Sequence, residues 1–157
     1  MKRFFILLVV SLFLVSCGSD DDICTSGEAS PRVKIKFRDT DNKTYKIPQI
    51  FVDADYGNGM VTVVTAANVD SVFVPLRVDN SPFTKIQVRQ TATGLASAIT
   101  LNYTTKSEYV SPACGVKRLY EDVKGSLDSP NPVVDIQQVQ TQIINEDQTH
   151  FYFIFKP

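Results

Sequence analysis

Short runs of alternating hydrophobic and polar residues recur along the chain from residue 31 to its end. Residues 32–38 place Val33, Ile35 and Phe37 on one side and cationic residues on the other, which is the period of a half-buried β-strand. Further strands are predicted at residues 45–54, 60–66, 72–78, 84–91, 97–104 and 117–124. No segment has the 3.6-residue period of an amphipathic helix, so the pattern predicts an all-β protein.

The end of the chain is predicted to form a hairpin. Residues 133–144 change the phase of their apolar positions, and we expect a β-bulge near Gln137 and Gln138. Residues 145–148 are predicted to form a tight loop, and residues 150–156 the last strand. Because that strand has apolar residues on both faces, we expect it in the interior of a sheet.

About nine short strands separated by turn residues predict one domain over residues 31–157. We expect a two-sheet antiparallel β-sandwich and favour an immunoglobulin-like arrangement; a closed β-barrel is the alternative. Composition agrees, because residues 17–157 contain 26 Val and Ile against five Leu. Pro75 lacks a backbone donor, which predicts an edge strand or a bulge at residues 72–78.

The N-terminal segment has the organisation of a secretory signal peptide. Met1-Lys2-Arg3 precedes an apolar run over residues 4–15, which is shorter than the roughly 20 residues that cross a membrane. Leu14-Val15-Ser16-Cys17 resembles the lipobox of bacterial lipoproteins. The resemblance implies that residues 1–16 are removed and that acyl chains on Cys17 anchor the protein to the membrane. The alternative is an ordinary signal peptide followed by a chance cysteine.

Residues 17–30 are interpreted as a tether between the anchor and the domain. Ser19 is followed by three acidic residues, Asp20, Asp21 and Asp22, whose like charges favour a solvated, extended chain. This run also resembles the export signal of surface-displayed lipoproteins in Bacteroidota. We therefore expect a lipid-anchored protein of the outer membrane, either on the cell surface or facing the periplasm.

Two cysteines remain once Cys17 is assigned to lipid. Cys24 and Cys114 would lie in a compartment outside the cytoplasm, where disulfides persist. We expect one disulfide between them, which would fix the end of the tether to the domain. Two buried free thiols are the alternative.

Three short motifs together with the lipobox resemble those of a small family of Bacteroidota lipoproteins classed as a domain of unknown function. They are Ile23-Cys24-Thr25, Ser111-Pro112-Ala113-Cys114-Gly115 and Ile143-Ile144-Asn145-Glu146. The resemblance covers most of the chain after Cys17 and supports both the disulfide and the β architecture. It implies no activity.

Charge and composition exclude several classes of function. The chain has 16 Lys and Arg against 17 Asp and Glu, so nucleic acid is not an expected partner. His150 is the one histidine, and a catalytic triad or a histidine-based metal site would have to use it. A glycosidase would need two converging acidic residues, and no pair can be assigned. We therefore expect no enzyme activity, no cofactor and no metal.

Two surface motifs allow a functional and a structural interpretation. Residues 53–59 (Asp-Ala-Asp-Tyr-Gly-Asn-Gly) resemble a calcium loop but lack the further acidic ligands of an EF-hand, so a hairpin turn explains them better. Asp70-Ser71-Val72 resembles the O-glycosylation acceptor of exported Bacteroidota proteins, although Ser71 could simply begin a strand.

Lys34, Lys36 and Arg38 form a cationic stripe, which could meet an acidic partner or could simply face solvent. The resulting hypothesis is a non-enzymatic, lipid-anchored interaction module of the cell envelope with a protein partner. The alternative is a surface binding protein for a glycan or another nutrient ligand. A deep pocket lined by Tyr and carboxylates would favour ligand binding, and a sandwich without one would favour the interaction module.

Overall fold

Nine β-strands make up the regular structure of the domain. The computed structural model describes residues 29–112 and 114–156. In chain order the strands are β1 (Val33–Asp39), β2 (Ile47–Asp55), β3 (Met60–Val69), β4 (Ser71–Val74), β5 (Phe83–Arg89), β6 (Ser97–Ser111), β7 (Gly115–Ser129), β8 (Val133–Gln138) and β9 (Phe151–Phe155). Within the described residues no helix has the length and apolar character needed to cross a membrane. The all-β prediction is confirmed.

The strands form two sheets that enclose one core. One sheet has four strands in the order β4-β1-β9-β8, and the other has five in the order β3-β2-β5-β6-β7. Neighbouring strands are antiparallel except for β1 and β9, which are parallel. Both sheets are open, so the sandwich is confirmed and the barrel alternative is wrong.

The first and last strands of the described residues, β1 and β9, lie side by side in the four-stranded sheet as parallel neighbours. An immunoglobulin constant domain instead sets strands A, B, E and D against C, F and G. The nine strands here are distributed differently between the sheets. The likeness to that fold is therefore limited to the two-sheet architecture.

The core lies between the sheets and is filled by alternate residues of the strands. Val33, Ile35 and Phe37 of β1 are at most 1% exposed, and so are Ile86 and Val88 of β5 in the opposite sheet. Burying each such side chain contributes roughly 1.5–3 kcal/mol relative to leaving it in water. The alternation that predicts β1 and β5 therefore also identifies their inward faces.

The last strand, β9, lies in the interior of its sheet, as predicted. It is paired with β1 on one side and β8 on the other. Phe151, Phe153 and Phe155 point into the core with at most 1% exposure, and Ile154 on the opposite face is 5% exposed. The ring of Phe155 meets Phe37 edge-on, with 5.5 Å between the centroids. Apolar residues on both faces are thus explained by burial on both faces.

The prediction for residues 133–144 is wrong in part. Strand β8 ends at Gln138, and its register shift lies between Val133 and Asp135 rather than near residues 137–138. Residues 139–150 then leave this sheet and return to it, and in between Ile143 exchanges two backbone hydrogen bonds with Tyr120 of β7 in the other sheet. The change of apolar phase therefore marks the point where the chain leaves one sheet and buries Ile143 against the other.

The β6–β7 hairpin is longer than predicted, because each strand has 15 residues. Tyr109 and Val116 face each other near its tip and are 67% and 57% exposed. Strand β4, in contrast, is short: it ends at Val74, directly before Pro75, and pairs only with β1. The predicted edge position is confirmed, but the strand ends before Pro75 and does not continue to residue 78 as predicted.

Candidate interaction face

The outer surface of the four-stranded sheet carries the cationic residues of β1. Because alternate residues of β1 point into the core, Lys34, Lys36 and Arg38 point away from it. Strand β1 lies between β4 and β9, where Lys34 is paired with Phe73 and Lys36 with Tyr152. We call Lys34, Lys36, Arg38, Phe73 and Tyr152 the cationic face.

Aromatic rings hold part of this charge against the sheet. The guanidinium carbon of Arg38 lies 3.5 Å from the ring centroid of Tyr152. The Lys34 ammonium lies 5.3 Å from the centroid of Phe73, and the Arg32 guanidinium lies 4.9 Å from the same ring. Cation–π contacts contribute about 0.5–1 kcal/mol at exposed sites and limit the motion of the cation. Arg38 is therefore positioned before any partner arrives.

Some of the positive charge beside the face is already paired. Arg32 donates from Nε and Nη2 to the two carboxylate oxygens of Glu146 at 2.8 and 2.6 Å. These hydrogen bonds raise the pKa of Arg32 and lower the pKa of Glu146. Lys34 Nζ donates to the Asp147 carbonyl at 3.1 Å. The Arg32 and Lys34 side chains at this end of the sheet therefore already have hydrogen-bond partners within the domain.

The charge that is not paired lies on Lys36 and Arg38. Across residues 29–112 and 114–156, neither side chain forms a hydrogen bond or an ion pair. Asp135 is paired in register with Ile154 on β8 and β9, two strands away from β1. Two strand spacings put Asp135 about 10 Å from β1, and at that distance salt screens most of the attraction between exposed charges. An acidic partner would thus meet two unneutralised cations beside the half-buried rings of Phe73 and Tyr152.

The buried His150 is hydrogen-bonded to the backbone of β1 at Lys34. Its side chain is buried, and its Nδ1 accepts a hydrogen bond from the Lys34 N–H at 2.8 Å. The His150 N–H in turn donates to the Lys34 carbonyl at 3.0 Å. Burial lowers the pKa of His150, and the positive charge of Lys34 lowers it further. The imidazole is therefore a neutral structural acceptor that fixes the start of β9 to β1.

The acidic loop after β2 is a hairpin turn. Asp53 accepts hydrogen bonds from Arg89 Nε and Nη2, both at 2.9 Å, and from Thr62 Oγ1 at 2.6 Å. Asp55 accepts from the backbone N–H groups of Gly57 and Gly59. Both glycines have φ near +100°, which favours glycine. Each carboxylate thus serves the turn or an internal ion pair, as the structural interpretation predicts.

Ser71 lies on the same outer surface as the cationic face. It is the first residue of β4, it is paired with Lys36 of β1, and its hydroxyl donates to Asp70 Oδ1 at 3.0 Å. The proposed glycosylation site therefore begins a strand, as its structural alternative states. A sugar on Ser71 would stand next to Lys36.

Several predicted sites lie outside the described residues. They are Cys17, Cys24 and the export signal Ser19, Asp20, Asp21 and Asp22. Cys114 is described and lies at the tip of the β6–β7 hairpin, where its backbone N–H donates to Ser111 Oγ at 3.1 Å. The disulfide with Cys24 stays a prediction.

A cavity of about 660 Å³ lies beside the Arg32 end of the cationic face. It is lined by residues 29–32, Pro75 and residues 144–147. No tyrosine is among these described lining residues. Of the two lining carboxylates, Glu146 is occupied by Arg32, and Asp147 forms no side-chain hydrogen bond or ion pair within the described residues. The combination of tyrosine and available carboxylates that would favour a ligand site is not found at this cavity.

Phe73 and Tyr152 are the members of the face that sequence reasoning does not single out. Both alternate with inward-facing residues of their strands, so their outward direction can be read from the sequence. Their place beside β1 depends on pairing between β1 and β9, which lie more than 100 residues apart. Local periodicity does not contain that information.

Comparison with known proteins identifies the family. A family model described as a family of unknown function, DUF6452, matches residues 49–155, which is more than half of the 157 residues. The match begins in β2 and ends with β9, so it covers eight of the nine strands wholly or in part. No curated protein and no solved structure matches the chain. The chain belongs to DUF6452, a family of unknown function.

Proposed function

We propose that the protein is a lipid-anchored lipoprotein of the cell envelope that acts as a non-enzymatic interaction module. The support for the anchor is the lipobox that ends at Cys17, after a basic and apolar signal over residues 1–16. In this proposal signal removal and acylation leave the β-sandwich tethered to the outer membrane. Several acyl chains make such an attachment stable, whereas one binds only marginally.

The resemblance to Bacteroidota lipoproteins adds two elements to the proposal. Ser19 and the following three aspartates would direct the protein to the cell surface. A disulfide between Cys24 and Cys114 would tie the tether to the tip of the β6–β7 hairpin. The membrane would then lie toward that end of the domain and leave the outer surface of the four-stranded sheet accessible from the side.

The cationic face supports the proposed interaction. Lys36 and Arg38 are unneutralised within the described chain, and Arg38 is held on Tyr152 at 3.5 Å. Positioned cations beside half-buried aromatic rings favour an acidic partner surface, because charge complementarity guides encounter and the accessible part of the rings adds contact area. We therefore assign the face to an acidic envelope protein.

The interaction is tested by neutralising the face. The double variant Lys36→Gln and Arg38→Gln is compared with Lys85→Gln, an exposed lysine on β5 of the other sheet that also lies near an aromatic ring, Phe83. We expect the double variant to recover about tenfold less partner by cross-linking in intact envelopes, which corresponds to roughly 1.4 kcal/mol. Salt should weaken capture by the wild type.

Two outcomes would contradict this assignment. Equal capture by the double variant and the wild type would show that the face is not the contact. A retained small ligand without any protein partner would favour the alternative of a surface ligand-binding protein. The anchor is tested separately, because Cys17→Ser should abolish labelling by fatty acid and release the processed or precursor protein from the lipoprotein fraction.

A further inference from the structure

The outer half of the β6–β7 hairpin exposes apolar side chains that do not belong to the core. Tyr109 and Val116 lie opposite each other on the two strands and are 67% and 57% exposed. We call these two residues the hairpin end. The sequence between them contains no charged residue, and the residues on either side, Glu108 and Lys117, form an ion pair at 2.9 Å. The hairpin end therefore offers apolar surface that can be covered without burying an unpaired charge.

Arg118 joins this part of the hairpin to the first described residues of the domain. Its backbone N–H donates to Ser30 Oγ at 2.8 Å. Its guanidinium donates to the Val78 carbonyl at 3.0 Å and to Asn80 Oδ1 at 3.1 Å. Val78 is itself 58% exposed, so the loop that Arg118 holds adds apolar surface. The start of the domain and the hairpin end thus lie at the same end of the molecule.

The length of the preceding chain limits how far this end of the molecule can lie from a membrane that holds Cys17. Ser30 follows Cys17 by 13 positions, which span at most about 45 Å when fully extended. Val116 lies two positions from Arg118 on β7, roughly 7 Å along the strand. The far end of β6, in contrast, lies roughly 50 Å from the hairpin end, because the strand has 15 residues. The tether therefore brings the hairpin end, and not the opposite end, closest to the bilayer.

We propose that the hairpin end lies in the interface of the bilayer that carries the acyl chains of Cys17. The inference rests on the lipid anchor of the proposed function and adds a second contact between the domain and the same membrane. The contact uses neither Lys36 nor Arg38, so it is independent of the acidic partner. It would fix the orientation of the domain, which a flexible tether alone leaves free.

The residue types of the hairpin end fit a lipid interface. A tyrosine at a membrane surface buries the apolar body of its ring and keeps its hydroxyl at the level of the headgroups. Val116 opposite Tyr109 adds aliphatic surface on the same side of the hairpin. Two side chains bind a membrane only weakly by themselves. The anchor makes their contact intramolecular, and the raised effective concentration allows a weak contact to be populated.

The chain contains no tryptophan, so Tyr109→Trp introduces a single fluorescent reporter at the hairpin end. The full-length lipidated protein is reconstituted into vesicles of phosphatidylethanolamine and phosphatidylglycerol, with or without bromine atoms on the acyl chains. We expect the brominated lipid to quench this tryptophan by at least about twofold, because apolar side chains at an interface reach the acyl boundary. Leu95→Trp is the matched control and should not be quenched, since residue 95 is 74% exposed before the far end of β6.

A second substitution keeps the test specific, because a tryptophan itself favours membrane interfaces. In the Tyr109→Trp protein, Val116→Asp should remove most of the quenching, since its carboxylate would have to lose water on insertion. Val134→Asp on β8, where the valine is 42% exposed, is the control and should leave the quenching unchanged. Both variants should keep the circular dichroism of the parent protein, because both valines are exposed.

Three results would overturn the proposal. They are the absence of quenching at position 109, which a hairpin end that meets another protein would give, equal quenching at positions 109 and 95, and quenching that Val116→Asp does not change. Flotation with the vesicles reports the anchor separately. Protein that floats without quenching at position 109 contradicts the hairpin contact alone, whereas protein that does not float contradicts the anchor and the contact that depends on it.

Discussion

His150 and Lys34 show how one residue pair joins two strands that lie far apart in sequence. The imidazole Nδ1 accepts from the Lys34 N–H, and the His150 N–H donates to the Lys34 carbonyl. Burial lowers the pKa of His150, the Lys34 charge lowers it further, and Glu146 opposes the shift. A protonated Nδ1 would present a second donor to the Lys34 N–H. The folded protein therefore favours the neutral form of the His150 imidazole.

Stability should fall as the pH decreases below the ordinary histidine pKa of 6.5. Below this pH His150 takes up a proton in the unfolded chain, whereas in the folded chain it stays neutral until the pH approaches its lower pKa. The contribution of neutral His150 to the free energy of unfolding is therefore fully present above pH 6.5 and is lost as the pH falls. His150→Asn keeps an acceptor oxygen but does not titrate. Between about pH 7.5 and 5, Tm should fall more for the wild type than for this variant. An equal fall in both would contradict the role of His150.

A companion carboxylate sets the lower limit of that experiment. The Arg32 hydrogen bonds lower the pKa of Glu146 below its ordinary value of 4.5. Glu146 therefore stabilises the fold above that pH, and its contribution is lost as the pH falls further. Measurements above about pH 5 separate the histidine from this ion pair.

At the scale of elements, the sequence predicts strands best where at least one face of the strand is buried. Strand β1 alternates cleanly because it separates core from solvent, and β9 is recognisable because both faces are buried. The sequence does not predict the outer half of the β6–β7 hairpin. Both faces of the hairpin near Tyr109 lie near solvent, so the residues there show no apolar periodicity. The path of residues 139–150 is missed because Ile143 is buried by the other sheet.

Strand β7 passes so close to β9 that Gly125 has no room for a side chain. A Cβ there would lie 2.7 Å from Phe151 Cε1, 3.1 Å from Ile136 Cδ1 and 3.3 Å from Leu101 Cδ2. We expect Gly125→Ala to lower the free energy of unfolding by about 1–3 kcal/mol, because overpacking shifts these core side chains. Urea denaturation measures the change, and Lys124→Ala at the adjacent exposed position is the control. Equal stability of both variants would show that the core yields without cost.

At the scale of the whole molecule, the chain crosses between sheets after β4, and the hydroxyl groups of three side chains fix this crossing by hydrogen bonds. Tyr56 donates to the Pro75 carbonyl at 3.0 Å, and Tyr120 donates to the Arg77 carbonyl at 3.2 Å. The Arg77 N–H donates to Thr84 Oγ1 at 3.0 Å. The crossing segment is thus bound by the residue that follows β2 and by residues of β5 and β7. Burial raises the pKa of Tyr120 far above its ordinary value, so the hydroxyl stays a donor.

Removing one hydroxyl from this crossing should therefore weaken the entire sandwich rather than one strand. Tyr120→Phe keeps the buried ring, which meets Tyr103 edge-on at 4.9 Å, and deletes only the hydrogen bond to Arg77. We expect a loss of about 1 kcal/mol in the free energy of unfolding. Tyr109→Phe, which is 67% exposed, should have no effect. Fluorescence and circular dichroism should report one shared transition for Tyr120→Phe, because the segment joins both sheets. Two separate transitions, or stability equal to that of Tyr109→Phe, would show that the crossing does not couple the sheets.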